Sequence, residues 1–282
     1  MAEVSLEGTI DLQLHSAPDV WPRRLDDLSL ARQAAEAGMR AVLLKSHHTL
    51  TSDRAAIVDK LAEGIRVFGG LALNEAVGGL NAAAVEAALA LGAREIWMPT
   101  ISAANHRRAT GEQGDGISIL DETGSLRPAV YEILNLIAGK QVMLGTGHLS
   151  VEEIQHLVPT AQAAGVKRIV ITHPELYITN MPVAVQKELA GPGVYFERCL
   201  IATMPPSPVV PPGPTVSLSA IAGAIREVGP ETTVLATDFG QVNNPDPVDG
   251  LRYYIAGMMD LGIGQADVDR MTRINPAWLL GL

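Results

Sequence analysis

The sequence contains very little cysteine and few aromatic residues. Cys199 is the single cysteine among 282 residues, so the chain cannot form an internal disulfide. Aromatic residues make up 4% of the chain and hydrophobic residues 47%, so we expect a core built mainly from Ala, Leu, Val and Ile. The absence of a disulfide is typical of proteins from reducing compartments, and we expect a cytoplasmic location.

Positive charge and long apolar runs are also scarce. The chain has 21 Lys and Arg against 31 Asp and Glu, a formal net charge of −10, which repels nucleic-acid phosphates and anionic lipid. No apolar run reaches the ~18 residues needed to cross a bilayer, and Met1-Ala2-Glu3 lacks the basic and apolar regions of a signal peptide, so we expect none. We expect a soluble protein that acts on a small molecule, with neither nucleic acid nor membrane as a partner. Its Ala-rich helical exterior is compatible with a homo-oligomer.

Short apolar segments alternate with amphipathic, Ala-rich ones along the whole chain. Eight segments are predicted as strands: Thr9–His15, Ala41–Ser46, Val67–Leu73, Glu95–Pro99, Val142–Thr146, Arg168–Thr172, Val194–Glu197 and Val234–Thr237. The predicted helices include Leu28–Ala37, Ala55–Glu63, Ala82–Ala90, Ala129–Ala138, Val151–Ala164, Pro182–Leu189 and Leu218–Val228. Apolar strands separated by helices indicate a parallel sheet buried on both faces. Eight such units predict one α/β domain over residues 1–282, a (β/α)8 TIM barrel.

Two predicted connections are much longer than a turn. Ile101–Leu126 follows the fourth strand and is polar and Gly-rich, whereas Ile201–Thr215 follows the seventh and is rich in proline. Both leave the C-terminal ends of strands, where barrel enzymes keep their active sites, so we expect lids over a site. A rigid spacer or a subunit contact is an equally good interpretation of the proline segment.

Polar side chains recur at the C-terminal ends of the predicted strands. Asp11, Gln13 and His15 share one face of the first strand, because strand side chains alternate. Residues at or just past other strand ends include His47, His148, His173 and Asp238. A parallel barrel brings its strand ends to one rim, and imidazole and carboxylate are ligands of zinc, manganese and iron. The sequence therefore predicts a polar cluster suited to a divalent metal.

Two further histidines receive no metal role. His156 lies in the middle of a predicted helix, where we expect it to face solvent. His106 lies in the long fourth connection beside Arg107 and Arg108, away from any strand end.

The pattern of the first strand, together with His148, His173 and Asp238, resembles the amidohydrolase superfamily of metal-dependent TIM-barrel hydrolases. The C-terminal segment 275–282, Asn-Pro-Ala-Trp-Leu-Leu-Gly-Leu, is similar to an ending common in that superfamily. Asp11–Asp19, Lys45–Thr49 and Thr237–Gly240 resemble, more narrowly, a poorly characterised amidohydrolase-like subgroup.

The resemblance implies a divalent metal, most simply zinc, bound by a combination of His15, His148, His173 and Asp238. A metal-activated water would then cleave an amide, cyclic amide, lactone or ester bond of a small molecule. Asp238 is the expected proton acceptor, and His173, if it is not a ligand, would stabilise the oxyanion.

Two positions depart from the superfamily pattern. Gln13 stands where the first histidine of Asp-x-His-x-His would be, and its neutral amide is a poorer zinc ligand than imidazole. The fourth strand also lacks the Lys or Glu that bridges two metals, so we expect a single ion. Lys45, at the end of the second strand, is a candidate catalytic residue, either as a carbamylated bridge or as a substrate-binding cation; a surface or salt-bridged lysine is the alternative.

Four polar residues are assigned to substrate contacts or to the support of metal ligands, namely Asp11, Gln13, His47 and Glu197. Two other functions stay open. His47, in Ser46-His47-His48-Thr49, faintly resembles the second motif of PHP-type phosphoesterases, which favours a phosphoesterase. The replacement at Gln13 instead permits a barrel without metal that acts as a binding protein.

Overall fold

The structure is a computed structural model that describes residues 4–205 and 213–282. Eight parallel strands lie in one sheet in the order of the sequence. They are β1 (Ile10–Leu14), β2 (Ala41–Leu44), β3 (Arg66–Ala72), β4 (Glu95–Trp97), β5 (Met143–Gly145), β6 (Ile169–Thr172), β7 (Val194–Cys199) and β8 (Thr233–Ala236).

The first and last strands meet and close the sheet. The amide of Asp238 donates to the carbonyl of Gln13 (3.0 Å), and the amide of His15 donates to the carbonyl of Phe239 (2.8 Å). The predicted (β/α)8 barrel is therefore confirmed, and the C-terminal ends of β1 and β8 lie side by side.

Helices follow the strands around the outside of the barrel. They are α1 (Asp27–Glu36), α2 (Ser52–Leu61), α3 (Ala82–Ala90), α4 (Ala104–Thr110), α5 (Pro128–Lys140), α6 (Val151–Ala163), α7 (Val183–Leu189), α8 (Leu218–Val228), α9 (Pro247–Asp260), α10 (Gln265–Asp269) and α11 (Asn275–Leu280), with a π-helical turn at Arg270–Ile274. No helix among the described residues is long and apolar enough to span a membrane.

Local sequence signals explain where these helices begin. Asp26 caps α1 by accepting from the amide of Ser29 (2.8 Å). Ser150 and Glu153 form a reciprocal capping box at the start of α6. The seven predicted helices are all present, with ends shifted by three residues or fewer.

The two long connections contain helical structure that the sequence did not predict. The fourth contains α4, which the Gly-rich composition of the segment conceals. The seventh begins with a 3-10 turn at Leu200–Thr203. The rest of the proline segment, residues 206–212, lies outside the described residues, so the prediction of a lid there stays a prediction.

Candidate active site

Four imidazoles form an almost continuous row at the C-terminal end of the barrel. Ring centroids are 4.8 Å apart for His15 and His47, 6.0 Å for His47 and His148, and 5.5 Å for His148 and His173. All four side chains are buried. The structure thus brings together residues from the ends of β1, β2, β5 and β6, as the barrel topology predicts.

Asp238 connects the two ends of this row. Its Oδ1 lies 3.0 Å from Nε2 of His15, without the alignment of a hydrogen bond, and its Oδ2 lies 3.3 Å from Nε2 of His173. Burial alone would raise the pKa of Asp238, but His173 and His15 outweigh it and hold the pKa well below its ordinary value. Asp238 is therefore ionised at neutral pH.

The backbone around these residues is strained. His173 and Asp238 adopt φ values of 53° and 56°, a left-handed conformation that non-glycine residues rarely take. The chain after Asp238 then passes so close to β1 that a Cβ on Gly240 would lie 1.7 Å from the carbonyl oxygen of His15. Strain of this kind concentrates at functional sites, where the surrounding structure maintains it.

Burial keeps the imidazoles neutral. It lowers the pKa of His15 and of His173 to about 4, with Arg23 adding to the shift at His15 and Asp238 opposing it at both. It lowers the pKa of His47 and His148 well below the ordinary histidine value. Because metal-ligating histidines must be deprotonated, this environment suits a cation site.

His106, for which we predicted no metal role, contacts a predicted ligand. It is buried on α4, and its Nδ1 lies 2.8 Å from Nδ1 of His148. When Nδ1 of His148 carries the proton, it donates a hydrogen bond to Nδ1 of His106, and Nε2 of His148 has a free lone pair. That Nε2 is buried without a hydrogen-bond partner among the described residues. His156, in contrast, is exposed on α6 as expected.

Gln13 and Asp11 occupy different places on the inner face of β1. The amide nitrogen of Gln13 donates to Nε2 of His173 (3.0 Å), so Gln13 lies within the cluster. Asp11 instead accepts from the amide and the hydroxyl of Thr237, the latter at 2.6 Å. It therefore secures β8 beside β1, and burial raises its pKa to about 7.

His47 belongs to a hydrogen-bonded group that links three strand ends. Its Nδ1 lies 2.8 Å from the hydroxyl of Thr100, and the amide nitrogen of Asn74 donates to the carbonyl of His47 (2.9 Å). Asn74 also contacts Thr100 directly. This group positions the His47 ring against the ring of His15.

The donor set fits a divalent metal in part. Nε2 of His148, Nε2 of His173 and the carboxylate of Asp238 are neutral-imidazole and anionic donors in one cluster. Nε2 of His148 and Oδ1 of Asp238 are buried and have no hydrogen-bond partner among the described residues. Nε2 of His173 accepts from Gln13, so a bound metal would replace that hydrogen bond. Within residues 4–205 and 213–282, however, no three His, Cys, Asp or Glu side chains form a ready-made metal cage. In this structure Asp238 contacts the histidines directly, so metal binding stays a proposal.

Lys45 and Glu197 lie deeper than the sequence indicates. Strand β7 continues to Cys199, which places Glu197 inside the barrel rather than at its end. Lys45 is fully buried with its ammonium 5.2 Å from the centre of the Trp97 ring, so a surface position is wrong. Lys45, Glu197 and the equally buried Glu95 have side-chain nitrogen or oxygen atoms with no hydrogen-bond partner among the described residues.

The interior carboxyls predict a pH-dependent stability. Burial raises the pKa of Glu197 from 4.5 to about 8, despite the attraction of Lys45. A raised carboxyl pKa means that the parent protein loses stability as pH rises from 4.5 to about 8. We therefore expect Glu197→Gln to gain stability relative to the parent across this window, measured by urea unfolding of chelator-treated protein. Glu188→Gln, exposed on α7, is the control, and parallel profiles for parent and Glu197→Gln would contradict the expectation.

Two adjoining cavities lead to the cluster. The inner cavity, of about 40 Å³, is lined by the row of histidines, by Asp238 and by apolar side chains, among them Ile101, Leu176 and Ile178. The outer cavity, of about 360 Å³, is more polar and includes His48, Glu75 and Arg107. Both cavities are lined by Trp21, His47, Ile101 and His106. The two cavities therefore form one path from solvent to the site.

Solved structures with this architecture are enzymes of several kinds. An amidohydrolase from Pseudomonas aeruginosa is 13% identical, with 96% of this chain and 95% of that chain covered and a TM-score of 0.64. A probable 2-pyrone-4,6-dicarboxylic acid hydrolase from Acinetobacter baumannii is 11% identical, with 98% and 100% covered and a TM-score of 0.62. A 2,6-dihydroxybenzoate decarboxylase from Rhizobium is 13% identical, with 98% and 99% covered and a TM-score of 0.58.

These likenesses confirm the resemblance to amidohydrolase-type barrels at the level of the fold. No functionally curated protein matches the sequence. The family comparison covers the chain from β1 to within β7, including His15, His148 and His173 but ending before Asp238. Because residues 8–197 match its model, the chain belongs to the family of unknown function DUF6282.

Proposed function

We propose that this protein is a metal-dependent hydrolase that cleaves an amide, cyclic amide, lactone or ester bond of a small molecule. The observation that carries the proposal is the buried Asp238 carboxylate between His15 and His173. Beside it lies Nε2 of His148, which has no hydrogen-bond partner in the described part of the chain. An ionised carboxylate and neutral imidazoles in one cavity are the groups that hydrolysis at a metal requires.

His148, His173 and Asp238 would hold the metal. A divalent ion bound there would supply Lewis acidity, polarising the scissile carbonyl and lowering the pKa of the attacking water to about 7. Zinc suits this imidazole-rich set, and manganese or iron are alternatives. His106, which contacts the other ring nitrogen of His148, would orient that ring.

The side chains around Asp238 perform the proton transfers. Asp238 is ionised at neutral pH, so it accepts the proton of the attacking water and passes it to the leaving group. The apolar wall at Ile101, Leu176 and Ile178 excludes bulk water from the inner cavity. Lys45 adds positive charge beneath the site, since it contributes to the low pKa of Asp238.

Metal content is the first test. Protein purified after growth with zinc, manganese or iron is expected to carry about one divalent ion per chain, measured by plasma emission. Gln13 and the absence of a Lys or Glu ligand at the end of β4 are the reasons for one ion instead of two. Two ions per chain would show a binuclear site, and none under any supplement would favour the metal-free binding protein.

A substrate panel is the second test. Hydrolysis of lactones, cyclic amides or esters by the metal-loaded protein, abolished by a chelator and restored by metal, is the expected result. Turnover of phosphate esters alone would favour the phosphoesterase. Two arginines that line the cavities already have carboxylate partners: Arg23 pairs with Asp19, and Arg107 pairs with Glu75. Because these cations are already paired, an uncharged scissile group is favoured over a phosphate.

A further inference from the structure

Arg23 is a buried cation next to His15 that no sequence pattern identifies. Its Nη2 lies 3.2 Å from Nδ1 of His15, and its side chain is 1% exposed. Nε and Nη2 of Arg23 both bind Oδ2 of Asp19 at 3.0 Å. The backbone is also held, because the amide of the next residue, Arg24, donates to the carbonyl of Gly240 (2.9 Å). The guanidinium is therefore held in place against the ring.

This contact determines which nitrogen of His15 carries the proton. A guanidinium has donors and no acceptor, so Nδ1 of His15 must accept the hydrogen bond from Arg23. A neutral imidazole then carries its proton on Nε2, which faces Oδ1 of Asp238 at 3.0 Å. Turning the ring by 180° would present carbon atoms to both partners and lose both contacts.

A nitrogen that carries a proton has no lone pair for a metal. Histidine ligands ordinarily donate their second N–H to an acceptor such as a carboxylate or a carbonyl, whereas His15 has a donor on that side. His148 shows the ordinary arrangement, with the His106 imidazole beside its second nitrogen.

We propose that Arg23 is a positioning residue that holds the ring of His15 with its protonated Nε2 facing Asp238, so that His15 is not a metal ligand. This inference rests on the proposed function, since it divides the residues of the cluster into metal ligands and residues that position those ligands. The ion would then be held by His148, His173 and Asp238, and the Nε2–H of His15 would face the carboxylate without coordinating the ion.

Nitrogen NMR of the unmodified protein tests the inference without any variant of Arg23. In protein labelled with ¹⁵N-histidine, the His15 signals are identified by their loss in His15→Gln. The expected result is the Nε2–H tautomer in chelated protein and after addition of zinc. An Nδ1–H tautomer in either state would overturn the inference. If zinc does not bind at all, the hydrolase proposal fails, but the tautomer of the chelated protein still decides the role of Arg23.

A pair of substitutions at Arg23 provides an independent measurement. Arg23→Gln offers an amide oxygen that can accept from Nδ1–H, which frees Nε2 of His15 to bind the ion. Zinc affinity is then expected to rise about tenfold, the effect typical of a partner to a ligating histidine. Arg23→Lys keeps a donor in place and is expected to bind zinc as the parent does. Equal zinc affinities for the two variants would contradict the proposed role.

Discussion

Replacing Asp238 with asparagine is expected to lower kcat/KM by a factor of about 10³, on whichever ester, lactone or amide the panel identifies. Asparagine preserves the size of the side chain but removes the charge that contacts His15 and His173. The neutral amide of asparagine cannot accept a proton from water, and it lacks the negative charge that attracts a cation. Zinc affinity, measured by competition with a chromophoric chelator, should fall together with activity.

Asp59→Asn is the matched control for this substitution. Asp59 also accepts hydrogen bonds, from Arg66 and from the amide of Val67, but it does so at the N-terminal end of β3. We expect that variant to keep zinc affinity and activity. If Asp238→Asn retains activity within about tenfold of the parent, Asp238 is not the group that transfers the proton.

The barrel could be predicted because its signals are local. A strand buried on both faces must be apolar almost throughout, and each of the eight predicted segments overlaps an observed strand. The convergence of His15, His148, His173 and Asp238 follows from topology alone, since a parallel barrel brings all C-terminal strand ends to one side. Neither step depends on the details of side-chain packing.

The residues that sequence reasoning missed owe their roles to long-range packing. His106 reaches His148 only because α4 folds within a segment whose glycines indicate a loop. Arg23 lies in Trp21-Pro22-Arg23-Arg24, which has no strand or helix periodicity, and it reaches His15 because the chain there is held against Gly240. The depth of Glu197 depended on where β7 ends, and strand ends are poorly marked in sequence.

Gln13 is the clearest case in which one sequence position decides the chemistry. The structure places its amide nitrogen 3.0 Å from Nε2 of His173, and its oxygen is buried without a hydrogen-bond partner among the described residues. Because Gln13 and His15 share one face of β1, the side chain at position 13 points into the cluster as the sequence predicts. An amide there offers a weaker ligand for zinc than an imidazole does.

Gln13→His is therefore expected to raise zinc affinity by about tenfold or more, because it adds an imidazole to an existing donor set. The fold should be unaffected, since the new ring replaces a side chain of similar length at a position already occupied by polar atoms. Affinity is measured by chelator competition, and the state of the fold by thermal unfolding of the metal-free protein.

Gln13→Leu is the control that separates the gain of an imidazole from the loss of the amide. It removes the donor to His173 without adding a ligand, so its zinc affinity should stay below that of Gln13→His. Higher affinity of Gln13→His combined with lower turnover would mean that Gln13 keeps open a coordination position that water or substrate needs. Equal affinities for Gln13→His and Gln13→Leu would mean that position 13 does not face the ion, and the assignment of His173 as its ligand would fail with it.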